Sequence, residues 1–226
     1  MDRIGGQVTW DRLHAIGYED MRENSTDLNV GEVLDLVGNT PEDFRERHLE
    51  DTEARTPLIN GRPYHDPVLA ITLDRETEQP VGYTLGAYYV PDGPAPVRAL
   101  KHVAGKQHYN LREMAVDPRY PRDRVVADMV GGLLGHVFLV TDEEMRRGRR
   151  GLLAPDRPVT MYAWPREDTV GHQTAVSMGM VHSKRERVRP LGPNGREVSQ
   201  VYMVAPSVTV VAGLMAELRR QGASGS

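Results

Sequence analysis

Three arginines, Arg119, Arg122 and Arg124, gather in one turn of the stretch Leu111 to Val140, LREMAVDPRYPRDRVVADMVGGLLGHVFLV, and the chemistry they offer is anion binding. Leu111, Met114, Ala115 and Val116 form an apolar run too short for a helix, closed by Pro118, which biases Asp117 away from the right-handed helical region. The run reads as a strand. Beyond the turn, Val126, Val130, Leu133, Leu134, Val137 and Phe138 recur at helical spacing and place one apolar stripe on one face. With Asp123 as its N-cap, a helix starting there aims its first unpaired N–H groups back toward the strand end. Strand, arginine-rich turn and helix start together make a corner for phosphate.

Other chemistries are absent from the pattern. The chain has no Cys, which excludes disulfides, thiolate metal sites and a thiol nucleophile. His14, His48, His65, His102, His108, His136 and His182 form no H-x-H or H-E-x-x-H pair, so no metal is expected. No G-x-S-x-G, P-loop or dinucleotide-binding fingerprint occurs, and Gly131, Gly132 and Gly135 read as residues that permit close helix packing.

The corner resembles that of the GNAT superfamily, the general-control-related N-acetyltransferases, in which a strand, V-x-P and then R/Q-x-x-G-x-G/A open a helix that cradles the pyrophosphate of acyl-CoA. Direct register from Val116 sets Pro121, Arg124 and Val126 on the Arg/Gln and two Gly positions. One inserted turn residue sets Arg122, Val125 and Ala127 there instead, and this register is preferred because only the first Gly is replaced. The resemblance implies Met114, Ala115, Val116, Arg122, Asp123, Arg124, Val125, Val126 and Ala127 as contacts to acetyl-CoA or another acyl-CoA. It extends along the chain. PVLAITLDRETEQPVGYTLGAYYV is similar to the family's second and third strands, with a hairpin of Val68 to Leu73 and Val81 to Val90 around the polar turn Asp74 to Pro80. Val159 to Trp164 reads as a further strand, Pro165 as a helix opening, and TAVSMGMVHS as a helix ending at Gly179 and Met180. EVSQVYMVA, from Glu197 to Ala205, resembles the final strand. The implied fold is α/β (α+β), a GNAT-like mixed, mostly antiparallel central sheet flanked by helices.

The activity that the resemblance implies is acyl transfer to an amine of a small molecule or a protein. An amine must lose a proton and attack a thioester carbonyl, and the departing thiolate must be stabilised or protonated. Glu113 stands where family members often carry a carboxylate base; its other reading is an ion-pair partner of Arg112 or a cross-strand Arg. Many members place a Tyr four residues before the Gly matched to Gly179, where this chain has Ala175. His172 lies near the same helical face and is the substitute acid, unless it is a surface or capping residue; Tyr202 is a more distant candidate. The replaced Gly and Tyr favour an alternative, a GNAT-like binding or regulatory module without catalysis.

The elements that position these residues read as one domain spanning 1–226, with a helical acceptor-side region at 1–60, the sheet and cofactor helix at 66–205, and a C-terminal helix at 207–220. Thr9 or Asp11, Asn29 and Thr40 with Pro41 mark three helix starts. Val210, Val211, Leu214 and Leu218 give the last helix a face for the core or for a second subunit, so a homodimer is one expectation. Residues 1–78 carry 18 acids against 8 Lys/Arg, and residues 79–226 carry 14 against 20. The positive half contains the phosphate corner and the negative half the acceptor side, which favours a cationic or amine acceptor, unless the acids from Glu42 to Glu53 are a solvated face. The loop Asp142 to Pro158, with Arg146, Arg147, Arg149 and Arg150, weakly evokes a nucleic-acid contact and reads more simply as solvated. With no bilayer-length apolar run and no signal pattern at Met1, a soluble, cytoplasmic protein without membrane partners is expected.

Overall fold

Local signals set the three N-terminal helices. Thr9 Oγ1 accepts from the Arg12 N–H at 3.2 Å and caps α1 (Trp10–Asn24). Asn29 and Glu32 form a reciprocal capping box at the start of α2 (Val30–Val37), and Thr40 and Asp43 exchange the same pair of bonds, at 3.0 and 3.1 Å, at the start of α3 (Pro41–Glu53). The computed structural model describes residues 9–53, 58–59, 62–63, 68–89, 107–146, 159–167, 169–190, 196–205, 211–217 and 220. Of the expected loop Asp142 to Pro158, residues 142–146 are instead the end of a helix, and the rest lies outside these residues.

After a short ladder of β1 (Leu58–Ile59) with β2 (Arg62–Pro63), the chain builds β3 (Val68–Leu73), β4 (Pro80–Tyr89), β5 (Gln107–Val116), α4 (Arg122–Arg146), β6 (Val159–Ala163), α5 (Val170–Ser177), β7 (Val181–Pro190) and β8 (Glu197–Ala205). Strands β3 to β8 form one six-stranded sheet in the order β3-β4-β5-β6-β8-β7. Every neighbouring pair is antiparallel except β5 with β6, which is parallel. This is the mixed, mostly antiparallel sheet that the sequence predicts.

Successive residues of β4 serve opposite faces, as the pleat requires. A Cβ on Gly82 would lie 2.6 Å from Val125 Cγ1 of α4, whereas Tyr83 packs with Leu13, Ile16, Val37 and Phe44 of α1, α2 and α3. Helix α4 joins the larger cluster through Val126, Met129, Val130, Leu133 and Leu134 against Val81, Leu111, Val116, Met161 and Met203. Val211 and Met215 of the C-terminal helix belong to that same cluster, whereas Leu214 of the expected face is exposed and Val210 and Leu218 lie outside the described residues.

Three further details differ from the sequence reading. Strand β7 was not expected, because HSKRERVRP is too charged to read as half-buried; it is an edge strand, where basic side chains are an ordinary protection. Helix α5 starts after Thr169, whose Oγ1 accepts from His172 N–H, and not at Pro165. Asp123 is not an N-cap: α4 begins one residue earlier, and Val125 N–H already donates to Pro121 O at 3.2 Å. The C-terminal helix is described over residues 211–217, and its expected start at 207 lies outside the described residues. The expected end at Gly179 and Met180 is present, with Gly179 at φ 77° and Met180 N–H bonded to Ala175 O, a Schellman closure that favours Gly.

Candidate active site

The parallel ladder between β5 and β6 is short. It pairs Gln107–Asn110 with Val159–Tyr162 and stops, while β5 continues to Val116 on the arm of β4. From Leu111 onward the β6-facing edge of β5 has left its partner. The strands part around a cleft of about 320 Å³, whose walls include Leu111 to Ala115 on one side, Ala163 to Arg166 on the other, and Met21, Leu36 and Val37 of the N-terminal helices. A strand edge without a strand neighbour presents backbone donors and acceptors to whatever enters, the mode by which extended amide-bearing ligands are held.

Glu113 lines this cleft with about a third of its side chain exposed. A bulge supports its placement: Leu85 pairs with Glu113 and Gly86 with Leu111, so Arg112 is the extra residue. Tyr83 Oη donates to Glu113 Oε1 at 2.7 Å, and His48 Nε2 lies 3.5 Å from the same oxygen. His48 Nδ1 is 2.9 Å from Phe44 O, and a carbonyl only accepts, so Nδ1 is protonated, and a bond from Nε2 to Glu113 needs the doubly protonated ring. Burial pushes the Glu113 carboxyl up, but the His48 bond and charge, the Arg47 charge and the Tyr83 bond outweigh it and hold the pKa below the usual value. Burial, then the Glu113 charge, drive the Tyr83 phenol well above its ordinary 10.0. Glu113 is therefore a carboxylate with a permanent donor on one oxygen.

At the other end of the cleft stands Arg122, the first residue of α4. Its guanidinium is paired with Asp20 of α1, and its Nε lies 3.5 Å from Thr174 Oγ1 of α5. Thr174 donates in turn to Val170 O at 2.7 Å. The other expected contacts distribute unevenly. Met114 and Ala115 line the cleft, and Val116 offers its backbone N–H to Asp20. Asp123 and Arg124 are exposed on the first turn of α4. Val125, Val126 and Ala127 are buried in the core, so their side chains serve packing.

The two acid candidates sit apart from the cleft lining. Helix α5 contributes Thr169, Val170, Gly171, Thr174, Ala175 and Met178 to the wall, while His172 is half-buried beside them. Tyr202 is buried on β8 with its ring centroid 4.8 Å from that of Trp164, a cleft residue, and 5.6 Å from that of Tyr162. Residues with no readable signal complete the site: Asp20 of α1, His48 of α3, Tyr83 of β4 and Arg166 between β6 and α5 meet only through the fold. Arg166 crosses the rim, with Nη1 at 2.5 Å from Asp27 Oδ2 and Nη2 donating to Ser25 Oγ at 2.7 Å. Among the described residues no group of three or more His, Cys, Asp or Glu has metal-site geometry, and no helix is long and apolar enough to cross a membrane.

Among solved structures the chain is similar to Mycobacterium smegmatis RimJ in complex with CoA-disulfide, at 12% identity and a TM-score of 0.49 over 93% of this chain and 86% of that one. It is also similar to a GNAT-family acetyltransferase from Bacillus anthracis, at 12% identity and a TM-score of 0.48 over 87% of each chain. A third is the ribosomal-protein-S5-alanine acetyltransferase of Vibrio fischeri, at 13% identity and a TM-score of 0.41 over 88% and 90%. No family model and no curated protein matches the sequence.

Proposed function

We propose that the protein is an acyl-CoA-dependent N-acyltransferase that uses acetyl-CoA or a related thioester and acylates an amine of a small molecule or a protein. The observation that carries this reading is the parting of β5 from β6, which opens a strand edge between a carboxylate at Glu113 and a guanidinium at Arg122. The residues fit the donor they would hold. The part of β5 beyond Asn110, which β6 does not pair, suits the amides of a pantetheine arm, and Arg122 with the exposed Arg119 and Arg124 suits its phosphates. The thioester supplies an activated carbonyl.

The chain supplies the rest. Glu113, ionised and fixed through Oε1 by Tyr83 and His48, takes the amine proton on its other oxygen as the N–C bond forms. Backbone N–H groups of the β5 edge stabilise negative charge developing on the carbonyl oxygen, and collapse expels the thiolate as the C–S bond breaks. Ala175 offers no hydroxyl to that thiolate, so solvent protonates it. The acidic N-terminal half, which forms one wall, suits an acceptor that arrives as an ammonium.

Two measurements test the reading. Calorimetry or a thermal shift series with acetyl-CoA, longer acyl-CoAs and CoA should show binding, since a ligand of the native state raises Tm by mass action. With a primary-amine panel read by thiol release, Glu113→Gln should cut turnover about 100-fold while leaving CoA affinity nearly unchanged. No binding at millimolar CoA overturns the proposal. Firm binding without turnover on any amine supports the second reading, a non-catalytic acyl-CoA-binding module, which the Ala175 wall favours.

A further inference from the structure

The anion end of the cleft already holds an anion. Asp20 is almost fully buried, lines the cleft, and points its carboxylate at Arg122. It also accepts from Asn24 Nδ2 at 2.8 Å and from the backbone N–H of Val116 at the end of the open β5 edge. Through Arg122 the contact reaches Thr174, so a bar of side chains runs from α1 through α4 to α5. The backbone donor and the guanidinium that a phosphate-bearing ligand would use at this end are thus both engaged by one internal carboxylate.

Resting on the acyl-CoA reading above, we infer that Asp20 is the specificity-determining residue of the donor end: its carboxylate stands in for a ligand anion, and a phosphate-bearing donor binds only by exchanging with it. Two facts make exchange feasible where a purely structural ion pair would resist it. Arg122 keeps about a quarter of its side chain exposed, and Arg119 and Arg124, exposed on the same corner, offer a first landing point for the incoming charge. Burial raises the Asp20 pKa even against the opposing pull of Arg122, the mark of a carboxylate held in place at a cost. The consequence is a donor site with built-in competition, whose affinity for anions is lower than its three arginines imply. A phosphate-free pantetheine, which does not need Arg122, escapes that competition.

Isothermal titration of the whole chain with CoA and with pantetheine separates the cases. Asp20→Asn, which keeps the shape and removes the charge, should tighten CoA binding about 10-fold and leave pantetheine nearly unchanged. Adding Arg122→Gln to that variant should abolish the gain. Equal or weaker CoA binding by Asp20→Asn, with the unsubstituted chain binding normally, overturns the inference and leaves the acyl-CoA reading standing. Absence of CoA binding in both chains removes the two together. Should Asp20→Asn fail to fold, the carboxyl ¹³C resonance of Asp20 in the unsubstituted chain replaces it: saturation with CoA should shift that resonance, and an unmoved resonance overturns the inference.

Discussion

Glu113 shows how one residue can be readable in a sequence while its chemistry is not. Its position in the strand before the phosphate corner is local information, legible in LREMAVDP. What makes it a fixed carboxylate is not local. Tyr83 lies 30 residues away and His48 further still, and neither carries a motif; only the packing of α3 and β4 against β5 brings them to Oε1. The same holds for Asp20, 102 positions from its partner Arg122. A consequence follows for the pH profile. Hydrogen bonding to the charged form lowers a carboxyl pKa, so Tyr83→Phe removes one of the contacts that hold Glu113 below 4.5. The acid limb of kcat/KM should therefore move to higher pH in Tyr83→Phe, with the plateau rate less affected than in Glu113→Gln. A limb that stays in place would detach it from Glu113.

At the scale of elements, the parts legible in the sequence are those whose cause is local. The caps at Thr9, Asn29 and Thr40, the β3–β4 hairpin and the closure at Gly179 each depend on residues within a few positions of one another. Strand β7 was illegible because its identity comes from pairing with β8 at the sheet edge, not from alternation in its own residues. The fit of α4 on β4 lies between these cases. Val125, which the preferred register sets on the first Gly of the resembled pattern, faces a glycine on the neighbouring strand: a Cβ at Gly82 would lie 2.6 Å from Val125 Cγ1 and 2.9 Å from Met129 Sδ. Val125→Ala should cost about 2 kcal/mol through the cavity it leaves, and Gly82→Ala about 1 to 3 kcal/mol through overpacking. The double variant should cost less than the two together, because the added methyl enters the vacated space. Urea denaturation of the four chains measures the coupling; strict additivity would mean that the two sites do not touch.

Across the whole molecule, the charge asymmetry between the two halves has an internal use alongside any role toward ligands. Asp20, Asp27 and Glu32 of the acidic half pair with Arg122, Arg166 and Arg196 of the basic half, across the cleft and its rim. The pair of Arg12 with Asp117 runs the other way. Asp117, with its side chain 4% exposed at the end of β5, is bonded by Arg12 of α1 and by Arg119 of the corner, whose Nη2 and Nε lie 2.7 and 3.0 Å from its oxygens. Arg12 Nε also donates to Pro80 O, tying α1 to the start of β4. Burial raises the Asp117 pKa, but the Arg119 bonds and the Arg12 bond and charge prevail and bring it from 3.8 to about 2. A folded-state pKa below the unfolded one means that the unfolded chain binds the proton first, so this stabilisation is complete above 3.8 and disappears as pH falls through about 2. Its size at neutral pH is about 2 kcal/mol by the usual conversion. Asp117→Asn should therefore lower the urea stability of the chain by about that amount at neutral pH, and the gap between the two chains should narrow steadily below about pH 4. The measurement is a set of denaturation curves for both chains from neutral to acid pH. A gap that stays constant across that range would mean that the carboxylate charge of Asp117 does not hold α1 to the phosphate corner.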